Sequence, residues 1–265
     1  MIRVIIVGAC GRMGKMIVKG ISEQADMQLV GAIARPGRPQ IGRDIGEVVG
    51  VGTISVSVSG DLPTILPQGD VVIEFTTPSV TIEHLRHTVE MDKPMVIGTT
   101  GFTKDELAEV RELAVQIPCV MASNMSMGVN ILSQTIALAA NMLGDDYDVE
   151  LIETHHNQKV DSPSGTALRL AESTADVLGR QLPEVSVYSR HGIVGPRSEK
   201  EISIHAIRGG DLAGNHTVLF ANADERIEIT HHSHSREAYA NGAIRAAKWI
   251  VNAPKGLHDI NEVFA

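Results

Sequence analysis

Cysteine, aromatic side chains and positive charge are all scarce in this 265-residue chain. The only cysteines, Cys10 and Cys119, build neither a disulfide framework nor a thiolate metal cluster, so a reducing compartment, the cytoplasm, is expected. Aromatics make up 3% of residues, which calls for an aliphatic core and excludes a base-stacking platform. Lys and Arg number 23 against 32 Asp and Glu, a net charge of −9. Such a chain does not coat a polyanion, so nucleic acid is not an expected partner and an anionic ligand must be met by a few local cations and dipoles. No uninterrupted apolar run approaches the ~18 residues of a membrane span. The opening Met1–Val7 run is cut short by Gly8 and Arg12, unlike a signal peptide. What remains is ordinary for a soluble globular protein: 43% hydrophobic and 21% charged residues, with length for one large or two modest domains.

Val4–Val7 is a β-branched run without period, as in a strand buried on both faces of a parallel sheet. A glycine turn follows, then a helical face of Met13, Met16, Ile17 and Ile21. Strands at Met27–Ala34, Val71–Phe75, Met95–Ile97 and Cys119–Met121 alternate with helices near Ser79–Met91 and Thr103–Ala114. That alternation predicts an α/β fold, a Rossmann-type doubly wound parallel sheet, over residues 1–126. Ile54–Val58 alternates with serine like a short edge strand. After Asn124 the pattern changes: a long apolar helix, Gly128–Leu143, a strand at Val149–His155 and a helix from Pro163 to Leu178. Strands at Ile202–Ile207, Thr217–Phe220 and Arg226–Thr230 then follow without helices between them. A second, α+β domain with a mixed or antiparallel sheet is predicted over 127–235, and a last helix near Arg236–Val251.

Gly8-Ala9-Cys10-Gly11-Arg12-Met13-Gly14 stands where a dinucleotide-binding turn must stand, after the first strand and opening the first helix. Glycines there let a pyrophosphate approach the backbone, and helix N–H groups meet its charge. The spacing differs by one residue from G-x-G-x-x-G. Gly98-Thr99-Thr100-Gly101 lies on the same carboxyl edge, with donors suited to a ribose or a nicotinamide amide, and Glu74-Phe75-Thr76-Thr77-Pro78 lies there too with weaker claims. In the second half, Glu153-Thr154-His155-His156 leads through Lys159 to Pro163-Ser164-Gly165-Thr166 at a helix start. Lys159 supplies charge for a small carboxylate, the Gly165 and Thr166 amides supply dipole, and an imidazole beside the anion exchanges protons near neutrality. Successive strand residues face opposite ways, so both histidines reach one ligand only if the strand ends there. His231-His232-Ser233-His234 lacks the extra ligands of a zinc site, and no metal is expected. These residues alone fit another two-domain nicotinamide dehydrogenase, or a dinucleotide sensor that turns nothing over.

Taken in order, the glycine turn, Gly98–Gly101, the His155-His156-x-x-Lys159-x-Asp161-x-Pro163-Ser164-Gly165-Thr166 block and Arg208-Gly209-Gly210-Asp211…Gly214…His216-Thr217 resemble one family over essentially the whole length. It is the dihydrodipicolinate reductases, now named 4-hydroxy-tetrahydrodipicolinate reductases, of bacterial lysine and diaminopimelate synthesis. The resemblance implies reduction of a cyclic dicarboxylate by NADPH or NADH with loss of water. It implies His155 as proton donor and acceptor, Lys159 as a second donor, and His156, Gly165 and Thr166 as substrate-binding residues. It implies that Gly8 to Met13 bind the cofactor, with Gly98, Thr99 and Thr100 and the loop of Ala122, Ser123, Asn124 and Met125 against its nicotinamide end. It further implies a homotetramer joined through the second domain and a C-terminal segment, 236–265, that returns to the first. Each half then carries part of the chemistry, so substrate is expected to draw them together.

The cofactor preference follows from one departure. Sites that favour NAD place an acid at the end of the second strand, about 20 residues past the last glycine. Counting from Gly14 reaches Ala34, and no Asp or Glu occurs between Asp26 and Asp44. Arg35 comes next, with Arg38 and Arg12 nearby in sequence, so a 2′-phosphate meets guanidinium rather than repulsion and NADPH is the expected preference.

Overall fold

The computed structural model describes residues 1–264. The chain runs β1 (Ile2–Val7), α1 (Arg12–Ser22), β2 (Met27–Ile33), α2 (Ile45–Val49), β3 (Val58–Ser59), α3 (Leu62–Ile65), β4 (Val71–Glu74) and α4 (Pro78–Glu90). It continues with β5 (Met95–Ile97), α5 (Lys104–Ala114), β6 (Pro118–Met121), α6 (Met127–Leu143), β7 (Asp148–His155), α7 (Gly165–Val177), α8 (Leu182–Val185) and β8 (Ser186–Val187). Last come β9 (Ile202–Arg208), β10 (Asn215–Ala221), β11 (Arg226–His232), α9 (Glu237–Ile250), β12 (Gly256–His258) and α10 (Ile260–Phe264). Two compact units result, Met1–Met127 together with the segment from Arg236 onward, and Gly128–Ser235.

In the first unit seven strands lie in the order β12-β6-β5-β4-β1-β2-β3, all parallel. The unbroken apolar runs are explained by burial on both faces. Val4 and Ile6 of β1 enter one core layer and Ile5 and Val7 the other, all at most 1% exposed. Each such side chain contributes about 1.5–3 kcal/mol. The first layer packs Ile17, Val18 and Ile21 of α1 with Ala240, Ala243, Ile244 and Ile250 of α9. The second is covered by Ile82 and Leu85 of α4 and Val110 and Ala114 of α5. The chain steps one way from β1 to β2 and the other way to β4, so the carboxyl ends of β1 and β4 form the switch point of the sheet.

The edge strand read at Ile54–Val58 shrinks to Val58–Ser59, because Ser55 takes a positive φ of 62° that breaks the extended run. Strand β12, pairing with β6, has no counterpart in the strands expected from sequence. In the second unit, the five-stranded sheet β11-β10-β7-β9-β8 is mixed. Strands β7, β10 and β11 pair antiparallel, while β7 and β9 run parallel, with α7 in the connection between them. One face is closed by Leu132 and Ile136 of α6 and Leu170 and Ala171 of α7, over Leu151, Ile204 and Val218. The opposite face carries Ile152 and Ile207, which are 36% and 51% exposed.

Candidate active site

At the switch point the glycine turn closes on itself: the Gly11 N–H donates to the Gly8 carbonyl (2.8 Å), and the N–H groups of Gly8 and Ala9 donate to the Ile33 carbonyl. Gly8 has φ 80°, and a Cβ there would stand 2.2 Å from the Phe75 carbonyl oxygen. A Cβ on Gly14 would stand 2.2 Å from the Gly8 carbonyl oxygen. Both glycines are therefore dictated by the turn. Gly11 is the N-cap of α1 and offers no side-chain acceptor, and the first turn of that helix holds no acid. A positive helix end left uncapped suits a pyrophosphate, so the residues present fit a dinucleotide. Ala9 is buried, Cys10 and Met13 are half-buried and Arg12 is exposed. Burial raises the Cys10 thiol above its ordinary pKa, against the charges of Lys15 and Arg38. Arg38 thus lies near this turn. Arg35 and Arg38 are exposed in the loop after β2, and neither they nor Arg12 form a salt bridge among the described residues.

Phe75, following β4, sits between the two glycine loops. Its carbonyl abuts Gly8, and its ring fills the place of a Gly98 side chain, which would lie 2.2 Å from Cε1 and Cζ. Thr99 turns inward, 5% exposed: its Oγ1 accepts from the Thr76 N–H (3.1 Å) and the Thr81 hydroxyl (2.8 Å). Thr100 is exposed, so of the two threonines it is the one whose side chain faces outward. Beneath the loop lies Glu74, fully buried, which accepts from the Thr76 hydroxyl and pairs with His84 Nδ1 at 2.9 Å. In the loop after β6, Ser123 is exposed, whereas Ala122, Asn124 and Met125 are buried. The Met125 carbonyl presses on α9, where a Cβ on Gly242 would come within 1.7 Å of it.

The second unit assembles a different kind of site. Strand β7 ends at His155, and the chain turns at His156, whose N–H donates to the Leu212 carbonyl (2.8 Å). Alternation along β7 points Val149, Leu151, Glu153 and His155 toward the helices. Glu153 is completely buried and fully engaged. His155 Nδ1 lies 2.5 Å from its Oε2, Arg208 grips both oxygens at 2.7 Å, and the Ser164 N–H donates to Oε1 at 3.0 Å. Burial works to raise its pKa, but these donors hold the carboxyl below the usual glutamate range. The His155 pKa is lowered by burial, with Glu153 opposing and Lys159 and Arg208 adding to the depression.

Ser164 caps α7 through the Ala167 N–H (3.1 Å), and its hydroxyl meets His216 Nε2 at 3.2 Å. His216 is 2% exposed and stands edge-on to His155, ring centroids 5.3 Å apart. Burial, then the charge of His155, draws its pKa down to about 4. Gly165 opens α7 in open space, with nothing within 4 Å of where its Cβ would be, and Thr166 is half-buried behind it. Lys159 Nζ holds both carboxylate oxygens of Asp161 at 2.8 Å. An imidazole, an ammonium and an exposed helix start thus belong to one unit, the equipment for holding a carboxylate and passing a proton. Sequence reasoning placed Glu74 on the carboxyl edge without a role, and named Arg208 and His216 only within the family motif. For Glu74 a signal existed, a carboxylate ending an otherwise wholly apolar strand.

A parallel sheet with a glycine-turn switch point, joined to a unit bearing a buried carboxylate–imidazole pair, defines a dinucleotide-dependent oxidoreductase of the two-unit type. Two family models match, dihydrodipicolinate reductase N-terminus over residues 2–125 and dihydrodipicolinate reductase C-terminus over 128–264. The chain belongs to the dihydrodipicolinate reductase family. It is 45% identical over 263 residues to the 4-hydroxy-tetrahydrodipicolinate reductase of Syntrophus aciditrophicus, covering 99% of this chain and 98% of that one. With the protein of the same name from Trichlorobacter lovleyi the identity is 47%, over the same shares. Among solved structures, the dipicolinate-bound dihydrodipicolinate reductase of Paenisporosarcina sp. TG-14 superposes with a TM-score of 0.78 at 27% identity, covering 98% of this chain and 97% of that one.

Proposed function

We propose that this protein reduces 4-hydroxy-tetrahydrodipicolinate to tetrahydrodipicolinate with loss of water, on the diaminopimelate route to lysine. The observation that carries the reading is the cluster of His155, Lys159 and the exposed start of α7 in a chain 45% identical to reductases of that name. The dipicolinate held by the Paenisporosarcina relative supports a cyclic dicarboxylate as ligand. In this reading the Gly165 and Thr166 amides and His156 hold substrate carboxylate, Lys159 adds charge and a second proton, and His155 exchanges the proton. Gly8, Ala9, Cys10, Gly11, Arg12 and Met13 hold the dinucleotide's pyrophosphate, while Gly98, Thr99, Thr100 and Ala122 to Met125 bound its nicotinamide end. The reduced nicotinamide, when bound, supplies hydride.

The chain uses NADPH in preference to NADH, with Arg35 as the residue that meets the 2′-phosphate; the uncommitted guanidiniums of Arg35 and Arg38 support this. It assembles as a homotetramer through the sheet of the second unit, which the exposed Ile152 and Ile207 support, and it works in the cytoplasm. Among the described residues no helix is long and apolar enough to cross a membrane. The test supplies the preceding synthase with pyruvate and aspartate semialdehyde and follows absorbance of the reduced cofactor. Consumption that requires this protein is expected; binding without consumption would refute the reading.

A further inference from the structure

Four features converge on the His155 ring. Glu153 takes Nδ1 at 2.5 Å, and His216 meets the ring edge-on. At Gly214, φ 145°, a Cβ would stand 2.9 Å from Nε2, so a side chain there would press on that nitrogen. Arg208 clamps Glu153 through both oxygens, which fixes the carboxylate that fixes the ring. Glu153 is held ionised, and a carboxylate only accepts, so the proton of this short contact belongs to Nδ1. The same carboxylate also accepts from the Ser164 N–H, one residue before α7 begins.

We propose that Glu153 is the positioning residue of the site: it locks His155 in the Nδ1-protonated form, leaves Nε2 as the atom that exchanges protons with substrate, and ties that imidazole to the first turn of α7. The proposal rests on His155 as proton donor. When Nε2 gives up its proton, the electron pair stays on the ring as the neutral Nδ1–H tautomer, and Glu153 remains a carboxylate throughout. The arrangement resembles in logic the acid that orients the histidine of a serine hydrolase, where the carboxylate sets tautomer and stabilises the imidazolium without taking the proton. The groups facing the ring are Glu153 on its own strand, Lys159 beyond the strand end, Arg208 on β9 and His216 on β10. Of these only Glu153 favours the charged form, so its loss should make the imidazolium harder to keep.

The experiment measures kcat and its pH profile for Glu153→Gln, His155→Gln and the double variant, with cofactor Kd as control. Glu153→Gln should lower kcat about a hundredfold, move the descending limb of the profile to lower pH and leave cofactor Kd unchanged. In the His155→Gln background it should cost nothing further, since it acts through that ring. Wild-type kcat and profile in Glu153→Gln, or full additivity in the double variant, would overturn the proposal while leaving the His155 reading intact. Wild-type kcat in His155→Gln would overturn the His155 reading and the proposal with it. Nitrogen NMR of histidine-labelled wild-type protein, with His155→Gln to assign the signal, needs no Glu153 variant to fold. It should show neutral His155 protonated on Nδ1, and protonation on Nε2 would overturn the proposal.

Discussion

The two units build their sites by opposite means. The first works by leaving atoms out: Gly8, Gly14 and Gly98 are sites where one added carbon would strike backbone or ring. The second works by burying a carboxylate: Glu153 is held by Arg208 and His155 at 2.5–2.7 Å beneath the start of α7. A site made of absences presents backbone N–H groups and fails when anything is added. One made around a buried charge fails when anything is removed, because the partner left behind is uncompensated. The contrast fits the ligands proposed for each, a long dinucleotide laid along backbone and a small dicarboxylate held at a point.

The sharpest break is expected from removing charge in the second unit. Lys159→Ala should lower kcat by about a hundredfold or more while cofactor affinity, which the proposal assigns to the other unit, stays unchanged. Early unfolding with loss of cofactor binding would instead make Lys159 a structural residue. Adding a methyl in the first unit should do the reverse. Overpacking costs about 1–3 kcal/mol, so Gly14→Ala should raise cofactor Kd by about ten- to a hundredfold, read by quenching of its fluorescence, with the second unit unaffected.

Burial of charge-capable groups also predicts how stability depends on pH. His216 has its folded pKa near 4 against the 6.5 of an unperturbed imidazole, so the folded state binds fewer protons. Its contribution is complete above pH 6.5 and is lost as pH falls toward 4, by at most about 3 kcal/mol. Denaturant titrations of His216→Gln should show a shallower loss across that window than the parent, and an identical slope would contradict the assignment. The smallest effect expected is Arg35→Ala, because the role proposed for this exposed guanidinium rests on one charge-assisted contact. It should lower kcat/KM for NADPH about tenfold and leave the NADH value alone. Equal use of both cofactors by the parent would remove the preference itself.

Much of the first unit was legible because its strands are buried on both faces and so read as unbroken β-branched runs. Strand β12 was not, since Gly256-Leu257-His258 has too few apolar residues to register, and its partner β6 lies far back in the chain. In the second unit the polar block from Glu153 to Thr166 was visible as a block. Its wiring was not: Arg208 reaches Glu153 across 55 positions, brought there only by the parallel pairing of β7 with β9. His216 likewise arrives from β10, where it sits opposite Glu153. Local pattern reveals which residues are polar, but sheet register decides which of them meet.

Phe75 carries a consequence for anyone who would redesign the proposed cofactor site. Its ring occupies the volume that a side chain at position 98 would need, and its carbonyl crowds position 8. Positions 75 and 98 therefore form an epistatic pair, and a combinatorial library that randomises the Gly98–Thr100 loop alone will return glycine at 98 almost without exception. Pairing Gly98→Ala with Phe75→Leu should recover binders that neither randomisation scheme yields by itself. Position 8 gains no such freedom, because its obstacle is main chain and no substitution removes it.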